Sequence, residues 1–426
     1  MDKIKIVVHS LGKIRDAEIE ISPLTIFCGD SGLGKSYLAM LVHYFYAILW
    51  EKRSRLTQFF KSKGFDYKKM VSSFRGEGEA LRFSKKELEE WLAKDAIEYL
   101  RYLLKNDTLQ GSIGITLPSK VPDEIIFNYK EELVGLVNDD EVYVLLSTDH
   151  ISLRVGTKLN NNIGDETMSP FSVVLAAELI TLLFGDYKAL AKAYCLPPSR
   201  GPVMTENVEP KSGLYAEFKR QKEELESATE LKSSVSEDLS KLIRDILEGE
   251  IVQEDGGEYT YITRDAKIPL SAAAASIREI APLTLIAKRN NVKTISVLFE
   301  EPEAHLHPLK QRMVADIVAA FVTAGASMQI TTHSDYFLRR INELILMNKL
   351  KAKNEHVFMA FCAEYNVNEK TALDSKLISA YYLSEREDST VDVEKQNLEN
   401  GIPFTSFYKA IKDSFKIYDS LERSLK

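Results

Sequence analysis

The densest chemistry in the chain lies in eight residues, Gly29-Asp30-Ser31-Gly32-Leu33-Gly34-Lys35-Ser36. They fit the P-loop pattern Gly-x-x-x-x-Gly-Lys-[Ser/Thr]. Glycines let a backbone curl so that successive N–H groups aim at phosphate oxygens. A lysine at the seventh place is a point charge for β- and γ-phosphates, and the following serine hydroxyl is a Mg²⁺ ligand. A helix opening at this point adds its dipole to the same anion site. Gly29, Asp30, Ser31, Gly32, Leu33, Gly34, Lys35 and Ser36 are therefore the candidate residues for ATP phosphates, with Ser36 on the metal. A chance Gly-rich turn needs neither strand before nor helix after it. Here an apolar run at 24–28 precedes the motif and an apolar helical stretch at 37–50 follows.

A second cluster is Ser296-Val297-Leu298-Phe299-Glu300-Glu301-Pro302, a hydrophobic strand ending in two acids. This is the Walker B arrangement. The first acid, Glu300, suits the metal role, and the second, Glu301, suits the base that activates the attacking water. Two acids capping a strand would be the plain alternative without a P-loop in the same chain. Of seven histidines, His305, His307 and His333 fall close together. His305-Leu306-His307 lacks nearby cysteine partners for a zinc site. His333 follows the strand-like Gln329-Ile330-Thr331-Thr332, where it is placed to contact a γ-phosphate; a satisfied core histidine is the alternative reading.

These residues need elements to hold them. Alternation at 4–8 and 17–21 predicts two strands joined by a turn at 11–13, an antiparallel pair. The run 24–28 reads as a buried central strand. Residues 51–110 read as a helical insertion. Strand patterns return at 112–117, 124–129 and 141–146, and a helix spans 172–183. Prolines mark a strand end and loop at 194–201. The stretch 213–248 reads as one or two exposed helices forming a short arm. Beyond residue 269, helices are predicted at 276–288 and 309–323, and strands at 294–299 and 327–332. A further strand is expected at 355–362. The stretch from 374 reads as polar up to an amphipathic closing helix over 404–425.

The composition bounds these readings. At 426 residues, 45% hydrophobic and 9% aromatic, the chain is too apolar for a disordered polymer and long enough for a large core. No apolar run approaches the roughly 18–20 residues of a membrane span, and no secretory signal follows Met1. Three widely spaced cysteines, Cys28, Cys195 and Cys362, argue for a reducing interior, and so for a cytoplasmic protein. A net charge of −8 disfavours a general nucleic-acid coat, so any such contact is local.

Taken together, Gly29–Ser36, Phe299-Glu300-Glu301-Pro302-Glu303-Ala304-His305-Leu306-His307-Pro308 and Ile330-Thr331-Thr332-His333-Ser334 resemble the ABC-type ATPase domain of the SMC, RecF and OLD families. The Glu-Glu-Pro-Glu-Ala-His-Leu-His-Pro string resembles the OLD-like, phage-defence branch, as does the Pro-x-x-Arg element ending at Arg200. The resemblance covers the first forty residues and about 260–340, and implies an α/β fold. That fold is an ABC-type (SMC/RecF-like) P-loop ATPase head with an antiparallel β lobe and helical insertions. By position it implies that Glu301 is the base, Glu300 supports the metal, His307 falls in the D-loop and His333 is the switch histidine. It also implies ATP and Mg²⁺ held between two heads, hence a homodimer or higher oligomer. The lengths then divide into 1–50 and 256–365 as the two halves of one head. A helical insertion at 51–110, the remaining β lobe and a helix at 111–205, an arm at 206–255 and a helical tail at 366–426 complete it.

Two departures shape the expected function. The Ser-Ser-Gly of the family's signature loop aligns with Ala274, Ala275 and Ser276, so Ser271 or Ser276 would have to substitute, and hydrolysis is expected to be slow. An alanine run is also simply a good helix. Residues 341–426 show no Asp-x-Asp of a Toprim nuclease; Glu385-Arg386-Glu387-Asp388 is an acidic loop candidate, and the nearest approach to the motif, Thr390-Val391-Asp392, lacks the first acid. An effector is therefore expected on a separate chain. That combination resembles the ATPase subunit of two-component anti-phage systems such as PARIS or Septu. A RecF-type DNA-binding ATPase is the alternative. It draws on the segment 51–69, where Lys52, Arg53, Arg55, Lys61, Lys63, Lys68 and Lys69 oppose Glu51 and Asp66 and interleave with Phe59, Phe60, Phe65 and Tyr67. The solvated face of a helical hairpin is the plainer reading of that segment. A nucleotide-gated module with little hydrolysis is the third possibility.

Overall fold

The computed structural model describes residues 3–64, 80–128, 130–138, 141–158, 170–186, 189–206, 209–211, 213–231, 233–254, 257–404 and 406–425. Its centre is a nine-stranded mixed sheet. The strands run in the order Lys192–Leu196, Ile295–Glu300, Ser327–Thr332, Leu24–Gly29, Ile378–Glu385, Val391–Lys395, Ile14–Glu20, Lys5–Leu11 and Gly111–Thr116. The first five are mutually parallel. The strands Lys5–Leu11 and Ile14–Glu20 pair antiparallel, as does Gly111–Thr116 on the far edge. The α/β class and the antiparallel lobe are thus present in one continuous sheet.

The strand Leu24–Gly29 is buried at every residue. Its side chains alternate between two cores: Phe27 packs on one face of the sheet, and Leu24, Ile26 and Cys28 on the other. A strand covered on both sides reads as an unbroken apolar run. The helix Lys35–Leu49 follows and is buried at nearly every position, which explains why it is apolar all round. Helices Ala275–Arg289, Pro308–Thr323 and Asp335–Lys353 cover the opposite face.

Several expectations are corrected. The stretch 355–362 is a helix, Glu355–Tyr365, with Asn354 capping its start. The C-terminal stretch 366–426 is not a helical tail. Ile378–Glu385 and Val391–Lys395 form an antiparallel hairpin inside the central sheet, and Ile378–Glu385 lies beside the P-loop strand. The final helix, Ser406–Leu425, is exposed from residue 412 on, with Phe415, Ile417, Tyr418, Leu421 and Leu425 open to solvent rather than closing on the body. The insertion at 51–110 is helical, but it also contributes the strand Leu81–Ser84, which pairs with Glu124–Phe127. Two strands beyond those expected, Lys130–Asn138 and Ser152–Lys158, flank Glu141–Ser147 in a separate antiparallel sheet.

The arm at 206–255 does not project. Its helices Gly213–Ser227 and Ser234–Leu247 bury Leu214, Phe218, Leu225, Leu239 and Ile243 against the body. Gln221 explains the docking. Its amide oxygen accepts the Cys195 N–H at 2.7 Å and its NH₂ donates to the Ala193 carbonyl at 2.8 Å. The helix thereby satisfies the free edge of strand Lys192–Leu196. Among the described residues, no helix is long and apolar enough to cross a membrane.

Candidate functional site

The loop 29–34 bends because of two glycines. Gly29 has φ of 125°, and a Cβ there would lie 2.2 Å from the Leu383 carbonyl oxygen. Gly34 has φ of 93°, and its Cβ would press on Ile14 at 2.9 Å. Both positions lie in the left-handed region that favours glycine. The tight contact at Gly29 comes from strand Ile378–Glu385, so the unexpected C-terminal strand is the wall against which the P-loop turns.

Five candidate residues converge at the mouth of the parallel strands. The Lys35 ammonium donates to the carbonyls of Gly29 at 3.1 Å and Asp30 at 2.7 Å, and lies 3.4 Å from His333 Nδ1. Burial pulls its pKa down to about 8, against the pull of neighbouring Cys28, Glu301, Glu303 and Asp30. The Ser36 hydroxyl donates to Glu300 Oε2. Burial raises the Glu300 carboxyl to about 7, opposed by the Ser36 hydrogen bond and reinforced by Glu301. Glu301 and His333, with Thr331, Ser31 and Tyr37, line a cavity of about 410 Å³ over Lys35 and Ser36. Burial and the Lys35 charge lower the His333 pKa, so the ring favours its neutral form.

The metal can be tested against these atoms. Among the described residues, Glu300 Oε1 is buried without a hydrogen-bond partner. An unpartnered carboxylate oxygen beside a serine hydroxyl is an all-oxygen donor set. It fits Mg²⁺, which takes one or two protein oxygens and completes its shell with phosphate and water.

The remaining expected residues stand apart from this cavity. His307 is exposed and caps the helix Pro308–Thr323, accepting the Leu309 N–H at 3.4 Å through Nδ1. Its position in this chain is that of a cap, not a lining residue. His305 is exposed too, and no cluster of three or more His, Cys, Asp or Glu side chains placed to hold a metal ion occurs among the described residues. Ser271 is exposed in a short 3₁₀ turn beside a different cavity. Ser276 lies in the first turn of Ala275–Arg289, whose N-cap, Ala274, offers no side-chain cap. Neither serine lines the P-loop cavity of this chain.

Sequence reasoning missed several participants. Glu303 accepts the His333 N–H at 2.6 Å, and burial raises its pKa; it was legible only as part of the acidic string. Thr331 holds the Glu301 backbone. Lys13, in the first hairpin turn, pairs with Glu385 at the cavity rim at 3.0 Å. Of the acidic loop, Glu385 ends its strand and the rest lies in the hairpin turn that follows, with Arg386 paired to Asp392 and Asp388 accepting from Thr390.

In the basic segment, Lys52 pairs with Glu217, Arg55 with Asp95 and Lys63 with Glu87. Phe59 and Phe60 are core residues beside Phe83 and Trp91. In its described part, 51–64, these cations are paired and the aromatics belong to the core, around the single helix Arg53–Ser62. Phe65, Asp66, Tyr67, Lys68 and Lys69 lie outside the described residues.

Residues 201–338 match the model of an AAA ATPase domain. No curated protein matches the chain. Among solved structures, the SMC head domain from Thermotoga maritima aligns at 11% identity and a TM-score of 0.34, over 93% of this chain and 100% of that one. The Smc head with an extended coiled coil bound to the C-terminal domain of ScpA, from Pyrococcus furiosus, aligns at 13% and 0.38, over 98% and 100%. The stretch 201–338, which carries Glu300, Glu301 and His333, is similar to an AAA ATPase domain, and this similarity supports an ATPase activity for the chain.

Proposed function

We propose that the chain binds ATP with Mg²⁺ at the Lys35 cavity and hydrolyses it there. The observation that carries this reading is the Ser36–Glu300 hydrogen bond, which joins the two motifs across 264 positions of sequence. In this reading the loop N–H groups of 29–34 and the Lys35 ammonium bind the β- and γ-phosphates. Ser36 and Glu300 hold the cation, which neutralises phosphate charge when bound. Glu301 takes the proton of the attacking water, and His333 hydrogen-bonds the γ-phosphate, its backbone held by Glu303.

Two substitutions test the assignment. Lys35→Ala should abolish nucleotide binding, measured by titration with a fluorescent ATP analogue. Glu301→Gln should keep that affinity while slowing turnover by about 10²- to 10⁴-fold, the usual worth of a general base. Equal turnover in Glu301→Gln and wild type would remove Glu301 from the role.

The finer reading is an ABC-type head of the OLD-like branch. It assembles as a homodimer or higher oligomer in the cytoplasm and controls a separate effector in anti-phage defence. Its support is the Glu300–Pro308 string. Three free, buried cysteines accord with a reducing compartment. The uncapped helix start at Ala274 supports slow hydrolysis, because no side-chain hydroxyl stands at that N-cap. Co-purification with the product of the adjacent gene, with and without ATP, tests effector control; no association under either condition would reject it.

A further inference from the structure

Arg200 is completely buried, and its guanidinium reaches three separate pieces of backbone. Nε donates to the Glu279 carbonyl at 2.8 Å. Nη1 donates to the Pro197 carbonyl at 2.9 Å and to the Glu300 carbonyl at 3.0 Å. The Glu279 carboxylate accepts the N–H groups of Arg200 and Gly201, each at 3.0 Å. The guanidinium also lies 4.6 Å from the centre of the Phe299 ring. Glu301, the next residue after Glu300, has φ of 45°, a left-handed conformation that a glutamate holds only when its surroundings impose it. Its N–H donates to the Thr331 carbonyl at 3.0 Å. One peptide unit is therefore gripped at both ends. Its C=O, from Glu300, is held by Arg200, and its N–H, from Glu301, by Thr331.

We infer that Arg200 is a positioning residue for ATP hydrolysis: by fixing the Glu300–Glu301 peptide plane against Thr331, it sets where the Glu301 carboxylate points. The inference rests on the ATP-hydrolysis reading above. An arginine suits the task because its planar fork offers donors in several fixed directions, whereas a lysine offers a point charge. Arg200 also ties the Glu300 backbone to the helix Ala275–Arg289 through Glu279, so the acid pair and that helix are held in one frame.

The experiment uses the full chain and compares wild type, Arg200→Lys and Glu279→Gln. Arg200→Lys keeps the charge and loses the fork. Glu279→Gln loosens Arg200 without touching the acid pair, and it decides the matter if Arg200→Lys does not fold. In each variant kcat should fall about 10- to 100-fold, the cost of misplacing a reacting group by an ångström or so. KM and the affinity for a fluorescent ATP analogue should stay within about threefold of wild type. Unchanged kcat in both variants overturns the role. A parallel loss of kcat and nucleotide affinity also overturns it, because Arg200 would then be structural. Absence of Lys35-dependent turnover in the wild-type chain instead overturns the ATPase reading, and the positioning role falls with it.

Discussion

A single absent methyl group shapes the phosphate loop. At Gly29 a Cβ would meet the Leu383 carbonyl at 2.2 Å, in a backbone conformation that L-residues rarely adopt. At Gly32, with φ of 76°, a Cβ would meet nothing within 4 Å. The two glycines should therefore respond differently to the same change. Gly29→Ala should cost more than about 3 kcal/mol, since backbone cannot yield as a flexible side chain can. Gly32→Ala should cost about 1 kcal/mol, the left-handed penalty alone. Urea melts of the two variants check the ratio, and equal losses would show that strand Ile378–Glu385 does not brace the loop. The P-loop, the Glu300–Glu301 pair and His333 were legible from sequence because each is a short string with its own local geometry. Arg200 was legible only as part of a Pro-x-x-Arg element. Nothing local indicates that its partners are the carbonyls of Glu279 and Glu300.

The helix Lys35–Leu49 carries Lys35 at one end and a buried histidine in its middle. His43 is fully buried, with Nε2 3.1 Å from Cys195 Sγ. Burial drags its pKa from 6.5 to about 4. Between those values the unfolded chain binds a proton that the folded chain refuses. Protons then favour unfolding, so this contribution is intact above pH 6.5 and is lost as pH falls towards 4. The shift corresponds to about 3 kcal/mol. His43→Gln should show a correspondingly flatter loss of stability between pH 6.5 and 4, measured by denaturant unfolding at each pH. Parallel profiles in both proteins would remove His43 as the source. Hydrophobic pattern showed this helix to be buried, because no face of it is polar. The pattern did not place the 213–248 helices, whose charged faces read as solvent-exposed although Phe218, Leu225 and Gln221 bury a face against the sheet edge.

Across the whole molecule, the sheet is completed by the end of the chain. Ile378–Glu385 inserts between the P-loop strand and Val391–Lys395, which joins the antiparallel lobe. Truncation before Ile378 should abolish cooperative unfolding, because the parallel and antiparallel halves lose the strands that join them. Truncation before Lys412 should leave the Tm within about 2 °C, since residues 412–425 are exposed throughout. Differential scanning calorimetry of both truncations checks this, and a cooperative, wild-type transition without the 378–395 hairpin would refute the account. The sequence by itself determined the P-loop motif, the acid pair, the strand-end His333 and the buried helix and strands around them. Each of these depends on residues within one turn or one strand. Tertiary structure alone decided that Ser36 meets Glu300, that Arg200 and Thr331 grip the same peptide, and that a C-terminal hairpin walls the P-loop. Those contacts depend on strand order and register across hundreds of residues, and local periodicity carries neither.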